Sequence, residues 1–129
     1  MEEIDLKFGI LKIFSDNVTA IEINSGVQVN KEDVIKVIEA AEKNTTGNYA
    51  LISNRKKAYS TEITALYKVL SSRKRLKFAA IVAHRGLTSL MFDQEKTIER
   101  IVSNGTLPLQ LFFKLEHAVE RARQYLKGL

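Results

Sequence analysis

Phe78-Ala79-Ala80-Ile81-Val82-Ala83 is six apolar residues in a row. A membrane span needs about 20 such residues, so this run is far too short for one. It is also too continuous for a strand with one face in water. It reads as a strand buried on both faces. A second short run, YALIS at 49–53, lies between two stretches of helical spacing and reads the same way. Strands of this kind belong to parallel sheets covered by helices, which makes the chain α/β.

The other elements fit around these two. Ile4, Leu6, Phe8 and Ile10 alternate with polar residues, but Leu11 and Ile13 fall on the opposite parity. A bulge near residues 9–11, or a strand buried on both faces, would account for the slip. Ser15-Asp16-Asn17 is turn chemistry, and the β-branched run 18–23 predicts the hairpin partner. Asn30 is placed to cap a helix, with Asp33 near its positive end. Val34, Ile35, Val37, Ile38 and Ala41 form that helix's apolar stripe. Gly47 suits a left-handed turn after it.

The 49–53 strand passes into a basic loop at 54–59, then into a helix entered at Ser60 or Thr61. Ile63, Leu66, Tyr67 and Leu70 carry that helix's stripe, and the positive run 71–75 suits its C-terminal end. After the 78–83 strand a third helix would bury Leu90, Met91, Ile98, Ile101 and Val102. Pro108, the only proline, opens a last strand at 109–112, where a missing donor is tolerated. A final helix at 115–127 would bury Leu115, Ala118, Val119, Ala122 and Leu126.

The predicted fold is one α/β domain over 1–129. It has a mixed β-sheet, an N-terminal antiparallel hairpin followed by parallel strands, and four helices, in the order β-β-α-β-α-β-α-β-α. Its parallel crossovers should be right-handed.

The 129 residues contain no cysteine, so disulfides, thiolate metal sites and cysteine nucleophiles are excluded. The N-terminus is acidic and alternating rather than basic and apolar, unlike a signal peptide. Together these suit a cytoplasmic protein with no membrane span. The net charge of +5 gathers in two runs, Arg55-Lys56-Lys57 and Arg73-Lys74-Arg75. So mild an excess reads first as solubility. Tyr59, Phe92 and Phe113 are too scattered for a base-stacking platform, so nucleic acid is not an expected partner.

Parallel sheets collect ligands at the carboxyl ends of their strands. That edge should gather Ser53, Asn54, Arg55, Lys56, Lys57, Tyr59, Ser60 and Thr61 with His84, Arg85 and Gly86 and, after the last strand, Phe113 and Lys114. A hydroxyl of Ser60 or Thr61 would ordinarily cap the helix; functionally it could meet an anion or accept a phosphate. Glu62 opposes that added charge. His84 would ordinarily be a hydrogen-bonded rim residue; as a general base it would need a reactive partner, and none is apparent. His117 lies in the last helix, away from this edge, so the two histidines predict no metal site. No phosphate loop, dinucleotide fingerprint or nucleophile elbow occurs. The sequence predicts no cofactor and no catalytic residues.

Two segments carry a family resemblance. ALISNRKKAYSTEITAL at 50–66 matches a strand, loop and helix without a gap, and LQLFFKLEHAVERARQYL at 109–126 a closing strand and helix. The chain resembles the STAS/SpoIIAA-like domains, especially the small stand-alone bacterial members. The resemblance implies a SpoIIAA-like fold and a non-enzymatic regulatory module that binds a protein partner; the sequence leaves that partner open, a second copy of the chain in a homodimer included. In the family's switch members the loop reads Asp-Ser-Ser-Gly and its second serine is phosphorylated. Here those places hold Tyr59, Ser60, Thr61 and Glu62, so only the hydroxyl pair is kept. The alternative is a module that binds a small anion or lipid headgroup at the same edge through Arg55, His84 and the helix N-terminus.

Overall fold

A computed structural model describes residues 1–55, 68–83 and 107–129, with Arg55 described by its backbone. Six strands form one mixed sheet: β1 (Glu2–Asp5), β2 (Gly9–Ile13), β3 (Val18–Ile23), β4 (Tyr49–Arg55), β5 (Leu76–Ala83) and β6 (Leu109–Phe112). They lie side by side in chain order. β1–β2 and β2–β3 are antiparallel, and β3 through β6 are parallel. Two α-helices are described, α1 (Lys31–Lys43) and α2 (Leu115–Lys127), with a 3-10 turn at Ser15–Asn17.

The sheet therefore has one strand more than the sequence predicts. Residues 4–14 are neither a bulged strand nor one buried on both faces. They make a tight hairpin, with Ile4 opposite Leu11 and Asp5 opposite Ile10. Lys7 turns the chain at φ 75°, and its N–H donates to the Asp5 carboxylate at 2.8 Å. Each pair joins an even position to an odd one. Folding back therefore puts both parities on one face, which explains the slip. Gly9 begins β2 so close to β3 that a Cβ there would lie 2.6 Å from the Glu22 carbonyl oxygen.

The helix tally also differs. The sequence predicts four helices, and three helical elements are described, one of them the short 3-10 turn. α1 and α2 are the predicted first and last helices. The second and third lie outside the described residues, except for a helical end at residues 68–71.

α1 begins with a reciprocal cap. Asp33 N–H donates to the Asn30 side chain at 2.9 Å, and Asn30 N–H donates to the Asp33 carboxylate at 3.2 Å. Asp33 is thus a hydrogen-bonding partner as well as a favourable charge at the helix dipole. Val34, Val37, Ile38 and Ala41 are buried and Ile35 is half-buried. Gly47 turns the chain toward β4 at φ 76°. Asn17 fastens that turn, donating to the Thr46 carbonyl and, at 3.2 Å, to that of Asn48.

The two faces of the sheet build separate cores. On one, Leu11, Ile21, Leu51, Ala79 and Ile81 pack with α1 and Leu70. On the other, Val18, Ala20, Ile52, Phe78 and Val82 pack with Ala118, Val119 and Ala122 of α2. The parallel strands step in one direction across the sheet, so crossovers of a single hand must keep their helices on one face. The burial of α1 and Leu70 in one core agrees with this. α2, which follows β6, covers the opposite face. Each fully buried Leu, Ile or Phe contributes about 1.5–3 kcal/mol, and the two-sided core explains the unbroken apolar run of β5. Among the described residues no helix is long and apolar enough to cross a membrane.

Candidate functional site

The predicted carboxyl edge begins where β4 and β5 end. β4 runs two residues further than predicted, through Arg55, because β5 offers partners that far. Asn54 pairs with Val82 and Arg55 with Ala83. Asn54 is therefore a strand residue, 6% exposed, and not part of a loop. It shares the parity of Ala50 and Ile52, on the α2 side of the sheet. A polar residue that deep is engaged in the fold before it is available to a partner. Arg55 is the last residue of the strand. Lys56, Lys57, Tyr59, Ser60, Thr61, His84 and Arg85 lie outside the described residues. What the structure brings together is the pair of strand ends, Arg55 beside Ala83, from which those two segments depart.

The opposite edge, at the amino ends of β4 and β5, holds a network that the sequence does not announce. Arg73 donates to both oxygens of Glu42, from Nη2 to Oε1 at 2.5 Å and from Nε to Oε2 at 3.2 Å. The Tyr49 hydroxyl donates to the same Oε2 at 2.9 Å. The hydrogen bond from Arg73 is the main reason the Glu42 carboxyl is held below the usual carboxylate range. Tyr49 and the charges of Arg73 and Arg75 add to that effect, while partial burial opposes it. Glu42 in turn raises Arg73. Burial first, and then the bond to Glu42, push the Tyr49 phenol well above its ordinary value of 10.0.

Arg75 ties this corner together. Its Nε donates to the Gly47 carbonyl at 2.8 Å, its Nη1 to that of Glu42 at 3.0 Å, and its Nη2 to that of Thr45 at 2.8 Å. The guanidinium carbon also lies 5.6 Å from the centre of the Tyr49 ring. A helix leaves its last carbonyls without intrahelical donors, and a planar guanidinium can serve several at once. The run 73–75 thus does suit a helix C-terminus, but the helix Arg75 serves is α1 and not the one it follows in the chain. The available signal was an arginine run directly before a buried strand. Its partner, some 30 residues earlier, could come only from the tertiary structure.

Beside this network is a cleft of about 250 Å³, lined among the described residues by Ser71, Arg73, Lys74, Lys77 and Tyr125 with an apolar wall. No group of three His, Asp or Glu that could hold a metal occurs among the described residues.

No family model, curated protein or solved structure matches the chain. Its function must be argued from these two edges.

Proposed function

We propose that the chain is a non-enzymatic, STAS/SpoIIAA-like module that binds a protein partner at the carboxyl edge of its sheet. The observation behind this reading is the register of Arg55 with Ala83. β4 and β5 end side by side, so the basic segment 56–61 and the His84-Arg85 segment leave from neighbouring strand ends. Parallel sheets gather their ligands at that edge. A sheet that opens antiparallel, continues parallel and is followed by a closing helix is also what the family resemblance implies.

The test is a triple charge reversal, R55E/K56E/K57E, compared with the unaltered chain as immobilised bait in extract of the source cell. At least one captured protein should fall by about tenfold or more, a loss of about 1.4 kcal/mol in binding. Tm should stay within about 3 °C, the scale of surface substitutions. Identical capture profiles would refute the reading. If capture is unchanged but inorganic phosphate raises Tm in the unaltered chain and not in the variant, the edge binds small anions instead.

A further inference from the structure

The amino-edge cleft has a chemistry of its own. The residues described around it supply three cations, Arg73, Lys74 and Lys77, and no carboxylate. Glu42, just outside the lining, offsets the charge of Arg73 but leaves the two lysines in excess. It occupies Nε and Nη2 of Arg73, which leaves Nη1 available to another acceptor. Lys74 and Lys77 make no ion pair among the described residues, and Lys77 is held out of the strand ladder. Tyr49 pairs with Leu76 and Ala50 with Phe78, so Lys77 is the extra residue of a bulge. Bulges commonly re-aim a side chain beside a functional site.

Apart from Ser71, whose hydroxyl donates to the Lys68 carbonyl at 3.2 Å, and Tyr125, the remaining wall is apolar. Leu76 and Leu107 are 3% and 6% exposed, and Pro108 lies beside them. The Tyr125 ring is fixed 5.2 Å from the centre of the Phe78 ring, and its hydroxyl makes no hydrogen bond among the described residues. An apolar cavity of roughly 150 Å³ is enough for benzene. About 250 Å³ therefore has room for one ring and a tetrahedral anion, but is small for a nucleotide.

We propose that this cleft binds a small phosphate monoester carrying an apolar or aromatic group. The phosphate lies against Lys74, Lys77 and the free side of Arg73. The apolar group covers Leu76, Leu107 and Pro108, and the Tyr125 hydroxyl donates to a phosphate oxygen. A doubly charged phosphate suits two unpaired lysines and the free Nη1 of Arg73 better than a single carboxylate does, and arginine and lysine are both established phosphate binders. This site is separate from the carboxyl edge, so the two readings stand or fall independently.

The experiment titrates phenyl phosphate into the full chain while amide resonances are followed by NMR. Shifts should concentrate at residues 71–77, 107–108 and 125 and saturate with a Kd below about 1 mM. Inorganic phosphate should bind at least about tenfold more weakly, because the apolar wall goes unused. K74E/K77E should weaken phenyl phosphate by about tenfold or more. Y125F keeps the ring on Phe78 and should cost about threefold to tenfold through the lost hydroxyl. The amide pattern of each variant reports whether the fold survives. Lack of saturation below about 10 mM, equal affinity for inorganic phosphate, or shifts confined to residues 54–55 and 82–83 would each overturn the proposal. So would full affinity in K74E/K77E.

Discussion

Arg55-Lys56-Lys57 and Arg73-Lys74-Arg75 look alike in sequence, each a basic triplet beside a buried strand. Their places in the fold differ. Arg55, the described residue of the first, closes the register of β4 against β5. The second precedes β5 and is largely taken up by structure. Arg75 supplies the last carbonyls of α1 and the turn after it, and Arg73 holds Glu42. Of that triplet, only Lys74 and the Nη1 side of Arg73 are left for solvent or a ligand. A basic run therefore says little by itself. What matters is whether acceptors lacking donors, here the end of a helix, lie within reach of the guanidinium groups.

The comparison breaks first at Arg75. R75A would leave the Glu42, Thr45 and Gly47 carbonyls to partial solvation and remove the cation from the Tyr49 ring. We expect it to destabilise the chain by about 2–3 kcal/mol in urea unfolding. R75K should recover only part of this, because an ammonium cannot match three fixed directions. If R75A costs no more than the R55E/K56E/K57E reversal, the two triplets are equivalent and the contrast fails.

Glu42 comes next. E42Q keeps the shape but loses the charge that Arg73 and Tyr49 address. The Arg73 side chain is 36% exposed, so screening limits the loss to about 1 kcal/mol at neutral pH. The pH dependence sharpens the point. The folded carboxyl sits below its ordinary value of 4.5, so its contribution is present above that pH and is lost as pH falls toward the depressed folded value. The Tm gap between the unaltered chain and E42Q should narrow in acid. A gap independent of pH would show that the ion pair contributes nothing.

Tyr49 gives the smallest effect. Y49F keeps the buried ring and removes one hydrogen bond, for an expected cost of about 0.5–1 kcal/mol. The folded phenol titrates above its unfolded value of 10.0. The unaltered chain should therefore lose stability as pH rises beyond that value, and Y49F should lose less. Parallel alkaline unfolding curves for the two would place Tyr49 outside the network.

Much of the scaffold could be read from local pattern. The 18–23 and 109–112 strands, the Asn30 cap, and most of the buried stripes of α1 and α2 follow from periodicity and capping chemistry, which act over a few residues, though Ile35, Leu115 and Leu126 are only half-buried. The first hairpin could not be read that way, because an alternating run with a shift of parity fits a bulge, a strand buried on both faces or a turn equally well. The extent of β4 was also hidden. Asn54 and Arg55 look like loop residues until a partner strand extends alongside them.

The sequence by itself determined that this is an α/β chain with buried parallel strands, because unbroken apolar runs between helical stripes have few other ways to leave water. Tertiary structure alone decided which of the charged residues are occupied. Arg75 meets the end of α1, and Arg73 meets Glu42, across separations of about 30 residues. Such meetings depend on how the helices and strands pack in space, and no local spacing encodes them.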